Sequence, residues 1–405
     1  MDPLPIDTGR PHSASPFLDV DNQKEENGLR KWLGQSERLL EEYDAFSIKL
    51  QRREVYSAYD AGKKTYGMLF EIIENFPIED YEEYKNNLRL LAYCLLKKQP
   101  MSLSIVSVIP RLIHIIEQQT FDLYIEEQKS QNRIGVVEGY QESLLSTVSS
   151  SVPVHTLFDR IQDKQELLEN IKEVMQEEIM EDIEEASQKI CEECQRFVNN
   201  GEIILTYSRS RAVADFLTHA NKEVHEGTGI DVICCETFPL LTGQAFAKEL
   251  ASRGIRTSLI HDAASFTVMS RCNKVIIGCH AVLANGGVLV PSGGSNIVRV
   301  AAQFKVPVII LSGMYKMVPL FCSDQSTIND FYSPATVMPY ALADQELRQV
   351  DVVSPVYDYI PPEYISVILT PKGAYAPSYV YRLMKECYSN EDMLQPLNIR
   401  FDKKT

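Results

Sequence analysis

From about Leu29 to Phe197, apolar side chains recur every three or four residues among Glu, Lys and Tyr, the spacing of an amphipathic helix. The pattern predicts one helix beginning near Ser36 and another over Ala61 to Asn75, stopped by Pro77. A third covers Tyr81 to Lys98. After Gln99-Pro-Met-Ser102, either Ser102 or Ser104 can cap a fourth that runs through Ile116, and Pro110 inside it predicts a kink or a split. The stretch from Glu126 to Pro153 is polar, contains Gly135 and Gly139, and reads as a loop or mobile insertion. Residues 1–27, rich in Pro, Ser, Asp and Asn, read as a disordered tail.

Residues 160–199 carry the longest stripe. Leu168, Ile171, Met175, Ile179, Ile183, Ala186, Ile190, Cys194 and Phe197 fall at intervals of three and four, which predicts one continuous helix. The segment holds twelve acids and five bases, a local charge of −7. That charge suits a solvated face, or a docking surface for a basic partner.

At Gly201 the pattern changes to short apolar runs alternating with helical segments. Strands are predicted over Glu202–Tyr207, Asp231–Glu236, Arg256–His261, Lys274–Gly278 and Val306–Leu311, with crossover helices between them. Continuous apolar strands joined by helices imply a parallel sheet covered on both faces. The expectation is therefore an α/β protein: a helical domain at 28–159, a connecting helix at 160–199, and a Rossmann-like, doubly wound parallel sheet at 200–405.

Composition narrows the class. Apolar residues make up 44% and charged residues 24%, values that exclude a disordered or collagenous chain. Forty basic against 56 acidic side chains leave −16, the wrong sign for gripping a phosphodiester backbone, so no direct nucleic-acid partner is expected. No apolar run reaches the roughly 20 residues that span a bilayer, and the first residues show no secretory signal. Nine cysteines without framework spacing predict reduced thiols in cytosol or nucleus.

Several motifs admit two readings. Asn285-Gly-Gly-Val-Leu-Val-Pro-Ser-Gly-Gly294 suits tight turns, or a phosphate pocket with free backbone N–H groups before a helix. It matches neither dinucleotide nor P-loop spacing. Asp262 ends a strand where α/β sheets place ligand groups, and it also stands where a helix cap would. Ser208-Arg-Ser-Arg211 could hold an anion or begin a helix. Cys191-Glu-Glu-Cys194 lacks the second ligand pair that zinc needs, so structural thiols and no metal are expected, and no cofactor is expected elsewhere.

Cys235-Glu-Thr-Phe-Pro239, Leu259-Ile-His-Asp-Ala-Ala264 and Val275 through Gly287 resemble, in order and spacing, a family of known proteins. It unites ribose-1,5-bisphosphate and methylthioribose-1-phosphate isomerases with the regulatory subunits of eukaryotic translation initiation factor 2B. The resemblance is strongest over residues 200–390 and looser at Gln99–Val106. It implies a helical domain, a long connecting helix and a Rossmann-like domain. It also implies that the isomerases' catalytic cysteine falls on Ser208, their catalytic aspartate on Gly287, their Asn-Lys pair on Val290 and Pro291, and their phosphate-binding arginine on Phe238. Proton transfer between sugar carbons needs a poised acid and base, which these side chains do not supply. What remains is a relic pocket of Thr206, Ser208, Arg209, Asp262, Asn285, Gly286, Gly287, Gly293 and Gly294.

The ending Ala376–Leu383 is similar to the beta type of regulatory subunit. The resemblance then implies a cytoplasmic, non-catalytic subunit of a decamer, with alpha, gamma, delta and epsilon subunits as partners. Its complex exchanges guanine nucleotide on initiation factor 2 and senses phosphorylation of that factor's alpha subunit. A sugar-phosphate isomerase, or a sensor of small phosphorylated molecules, is the alternative. Because this chain is acidic, the sensing surface is expected on its helices, with Ser102, Ser104, Ser107, Arg111 and His114 as one wall of a shared cleft. An ordinary packed helix is the other reading of those residues. Tyr379, Tyr381 and Leu383 are expected at an assembly interface, or else in their own domain's core.

Overall fold

The computed structural model describes residues 22–55, 57–130, 154–161, 163–223, 229–322, 329–340 and 350–394. The helical half comprises α1 (Asn22–Leu33), α2 (Glu37–Gln51), α3 (Ala58–Asn75), α4 (Tyr81–Lys98), α5 (Leu103–Ser130) and the short α6 (Val154–Phe158). Their starts follow from local chemistry. Ser57 accepts the Tyr59 N–H, and Asp80 accepts those of Glu82 and Glu83, which satisfies donors that the first turn leaves free.

Three expectations need correction. Residues 22–27 belong to α1, whose Leu29 and Leu33 are fully buried; positions 1–21 lie outside the described residues. α5 is neither split at Pro110 nor finished at Ile116, and it continues to Ser130. Proline costs a helix one hydrogen bond, and the apolar burial on both sides of Pro110 outweighs that loss. Residues 131–153 of the expected loop lie outside the described residues, while 126–130 are helical.

The connecting segment is α7 (Lys164–Met175), a π-turn (Gln176–Met180) and α8 (Glu181–Glu192), capped at its start by Asp163. The π-turn has a cause in the stripe. Leu167, Ile171, Met175, Ile179 and Ile183 are all buried, at four successive intervals of four. An α-helix of 3.6 residues per turn would rotate such a row off the core, and one wider turn absorbs the excess. Leu167 is thus the buried partner at the start, while Leu168 is half-buried.

The α/β half is built on a seven-stranded sheet of order β11-β10-β7-β4-β1-β2-β3. Its strands are β1 (Ile203–Thr206), β2 (Asp231–Cys235), β3 (Arg256–Ile260), β4 (Lys274–Gly278), β7 (Val308–Leu311), β10 (Val367–Thr370) and β11 (Gly373–Tyr375). All neighbours are parallel except β10 and β11. Helices α9 (Arg211–Glu223), α10 (Thr242–Ser252), α11 (Ser265–Met269) and α12 (Gly294–Gln303) make the crossovers. β3 is an exception to the expected two-sided burial, because it is the sheet edge and mostly exposed.

A second sheet, of order β8-β5-β6-β9, was not expected from the pattern. It comprises β5 (Ala281–Leu283), β6 (Val288–Pro291), β8 (Met317–Val318) and β9 (Tyr357–Ile360). The glycine pairs at 286–287 and 293–294 bracket β6. The chain then adds α13 (Val380–Lys385) and α14 (Asn390–Leu394).

Candidate functional site

A cleft of about 530 Å³ opens at the carboxyl ends of β1, β2 and β3, bounded by Tyr207, Phe238, Asp262, Ser292, Gly293, Ser295, Asn296, Arg299 and Asp358. Open α/β sheets place ligand sites at this end. Around its mouth Ser208, Thr237 and Leu241 hold φ of 60°, 61° and 53°, a left-handed conformation that is costly for residues with a Cβ.

The structure brings Ser208 and Asp262 together through Thr237. The Ser208 N–H donates to Thr237 Oγ1 (3.0 Å), and the Ser208 hydroxyl lies 3.2 Å from Thr242 Oγ1. Asp262 accepts the N–H groups of Thr237 (3.0 Å) and Phe238 (2.8 Å). Its carboxylate therefore fastens the turn after β2 rather than capping the next helix. Arg209 turns outward to Glu249 at 2.9 Å, and the Thr206 hydroxyl is buried below the cleft with no hydrogen-bond partner among the described residues.

The glycine-rich segment does not form one cradle. Gly293 lines the cleft and Gly294 opens α12, but two of the donors there are already engaged. Asp358 accepts the N–H groups of Gly293 (2.8 Å) and Ser295 (3.2 Å), so a carboxylate of the chain itself holds the place a phosphate would take. Asn285, Gly286 and Gly287 are not part of the cleft. Successive residues of β9 face opposite ways, and these three pack around Tyr359 and Pro377 on the side away from Asp358. A Cβ at Gly287 would lie 2.3 Å from the Tyr359 ring. Asp358 does not stand out in the sequence, where the signal is a lone acid in the apolar run Tyr357–Ile360; Tyr359 opens the segment Tyr359-Ile-Pro-Pro-Glu-Tyr-Ile365, which the regulatory subunits share and which gives it no role at the site.

Burial holds several hydroxyl and thiol groups of this half in their neutral forms. Burial pushes the Tyr207 phenol far above its ordinary range, and the phenol donates to the Ser292 carbonyl. Burial also drives up the Cys235 and Cys279 thiols. The Cys191 thiol rises to about 12 by the same cause, aided by Asp215, while Cys194 lies 3.3 Å from His219 Nδ1. All nine cysteines are buried and free, and no group of three or more potential metal ligands occurs among the described residues.

The expected sensing wall is an interior seam. Ser102, Ser104, Ser107 and Arg111 are all buried and His114 is half-buried. Tyr388 donates to the Met317 carbonyl (2.6 Å) and receives the Ser107 hydroxyl (2.9 Å). Arg111 pairs with Asp182 (2.9 Å) and donates to the Glu178 carbonyl in the π-turn (2.7 Å). From Leu103 to Ile116 both sides of α5 are covered, so the polar side chains there pack within the chain. Leu383 likewise closes its own core at 1% exposure. Tyr379 is half-buried against Tyr375, whereas Tyr381 is exposed beside Phe321.

Fold and site together define a class: a helical half joined to a doubly wound sheet, with a cleft at the carboxyl ends of its strands lined by Asp262 and Asp358. Residues 54–377 match the Initiation factor 2 subunit family, and the chain belongs to that family. It is 28% identical over 378 residues to translation initiation factor eIF2B subunit beta of Dictyostelium discoideum, covering 87% of this chain and 96% of that one. Over about half of both chains (54% and 55%) it is 35% identical to eIF2B subunit beta of Schizosaccharomyces pombe. Ribose 1,5-bisphosphate isomerase of Pyrococcus furiosus shares 32% identity over 50% of this chain and 62% of its own. In fold, the crystal structure of eIF2B beta from Chaetomium thermophilum superimposes with a TM-score of 0.60 at 21% identity, covering 91% of this chain and 97% of that one. This homology supports a regulatory subunit of a translation initiation factor. No helix among the described residues is long and apolar enough to cross a membrane.

Proposed function

We propose that the chain is a non-catalytic, cytoplasmic, beta-type subunit of the guanine-nucleotide exchange complex for initiation factor 2. Its partners are the alpha, gamma, delta and epsilon subunits and initiation factor 2, whose phosphorylated alpha subunit the complex senses. The full-length likeness to a beta subunit supports this reading. So does the likeness in fold to a chain of the tetrameric eIF2B-beta2-delta2 complex from C. thermophilum. The carrying observation is at position 287, where the isomerases' resemblance places an acid. Here the residue is glycine, and the Tyr359 ring fills the space a side chain would need. Asp358 on the donors of α12 speaks equally against a sugar phosphate held there.

Two assays test this. The purified chain is expected to turn over neither ribose-1,5-bisphosphate nor methylthioribose 1-phosphate; turnover abolished by Ser208→Ala would return the chain to the isomerases. In exchange assays on initiation factor 2, complexes assembled without this chain are expected to lose inhibition by the phosphorylated factor. Inhibition that persists in full without it would remove the sensing role.

A further inference from the structure

Ser389 stands where the α/β half meets the helical half. It is half-buried, and its hydroxyl donates to the Asp392 carboxylate (2.9 Å) while accepting the Asp392 N–H (3.2 Å). Asp392 is fully buried and pairs at 2.7 Å with Arg89 of α4, itself only 2% exposed. Glu391 binds both Lys85 (3.0 Å) and Arg89 (3.2 Å), and Lys85 also binds Glu117 of α5 (2.8 Å). Three carboxylates thus meet two cations, 2 − 3 = −1. The next cation along α5, Arg111, is committed to Asp182.

These charges are the main attachment of α14. Asn390 is exposed and Glu391 half-buried, which leaves Met393 as the one buried apolar side chain of residues 390–393. A segment with a single apolar anchor opens locally at far less cost than the core does. Opening presents Ser389-Asn-Glu-Asp392, a serine with acids at the second and third positions after it. That charge pattern complements the basic substrate groove of an acid-directed serine kinase.

We propose that Ser389 is a phosphorylation site and that its phosphorylation releases α14 from the helical half. In the transfer, a bond forms between Ser389 Oγ and the γ-phosphorus of ATP. The bond from that phosphorus to the β,γ-bridging oxygen breaks, ADP leaves, and the hydroxyl proton passes to the kinase's base. The phosphoserine keeps no hydroxyl proton to give Asp392, and it adds about −1.5 to −2 of charge beside a carboxylate sealed from water. The cluster moves from −1 to about −3, with Lys85 and Arg89 already held by carboxylates. Like charges repel most strongly where water is excluded, so the open segment, with its acids and phosphate hydrated, becomes the favoured state. The device needs no partner subunit and stands apart from the assembly reading above.

The test treats the full chain with ATP and a recombinant acid-directed serine kinase, and follows amide hydrogen exchange by mass spectrometry. One phosphoryl group is expected on Ser389, and none at that position in Ser389→Ala. Exchange over residues 388–393 is expected to rise about tenfold or more in the phosphorylated chain. Ser389→Ala loses the hydroxyl's two bonds without adding charge, so its smaller rise measures the cap alone. Glu117→Gln removes one negative charge from the cluster and is expected to shrink the effect of the phosphate. A kinase that modifies other serines of the chain but leaves Ser389 untouched would overturn the site. Exchange in the phosphorylated chain within about twofold of Ser389→Ala would overturn release by charge. Slower exchange after phosphorylation would show the phosphate gripped by Lys85 and Arg89, a lock in place of a release, and would overturn the proposal as well.

Discussion

Tyr359 decides what position 287 can be. Its hydroxyl accepts from Asn285 (2.8 Å), which fixes the ring over the β5–β6 turn, and even a methyl group at 287 meets it at 2.3 Å. Gly287→Ala is therefore expected to destabilise the chain by about 1–3 kcal/mol, the usual cost of overpacking. In urea unfolding, adding Tyr359→Ala should cost less than the two single losses summed, because the second change vacates the space that the first one needs. Additive losses would show that the ring yields easily. From the chain alone, the replacement of an acid by glycine at 287 was legible. The ring that fills the gap comes from 72 positions later, and nothing local pairs the two.

Among the elements, the connecting helix shows how far a pattern carries. Its stripe predicts a helix correctly, yet a row at strict intervals of four does not say whether the helix bends, supercoils or widens. Here it widens, and Arg111 of α5 occupies the consequence: one guanidinium bonds both Glu178 O in the wide turn and the Asp182 carboxylate. Asp182 also accepts the Met314 N–H beyond β7, which ties the helical half to the sheet. Removing one partner of a buried pair strands the other charge. Arg111→Met should thus cost about 3–5 kcal/mol in chemical unfolding, and Arg111→Met with Asp182→Leu should recover a large part of it. A double variant as unstable as the single one would mean that the carbonyl and amide bonds matter more than the charge pair.

In the molecule as a whole, the two halves are joined by buried polar contacts that lie far apart in sequence. Lys85 and Arg89 of α4 hold Glu391 and Asp392 of α14, at 3.0 Å and 2.7 Å. His280, just after β4, meets the Met101 carbonyl at 2.6 Å and stacks on Tyr357. Burial lowers the His280 pKa from 6.5 to about 4, with the nearby Lys316 adding to the shift and the Met101 bond opposing it. The folded chain then binds fewer protons than the unfolded one between those values. Stability is complete above about pH 6.5 and falls as pH drops toward 4, by about 3 kcal/mol for the full shift. Glu391 adds a second loss further down. Burial opposes its ionisation, but the Lys85 hydrogen bond and the charges of Lys85 and Arg89 hold it at about 2. Its contribution is present above its ordinary 4.5 and fades below. Burial also lowers the His114 pKa, so His280→Gln is expected to reduce, not abolish, the slope of unfolding free energy between pH 6.5 and 4.5 while leaving the steeper fall below; an unchanged slope would place the sensitivity elsewhere.

Periodicity settled the class of most elements, because burying one face of a helix or both faces of a strand imposes a spacing that local residues must obey. It located α2, α3, α4 and the start of α5, the stripe from 171 to 194 and the five parallel strands from 203 to 311. The second sheet escaped it: β5, β6, β8 and β9 are two to four residues long, too short to show a period. Burial of polar groups escaped it as well. Ser102, Ser107 and Arg111 carry the same side chains whether they face water or Tyr388 and Asp182, and only long-range packing chooses between those fates. The cleft follows the same rule. Its place at the carboxyl ends of the strands was readable from the order of elements, while its present character depends on Asp358 reaching Gly293 across 65 positions, a contact set by how the small sheet folds back onto the large one.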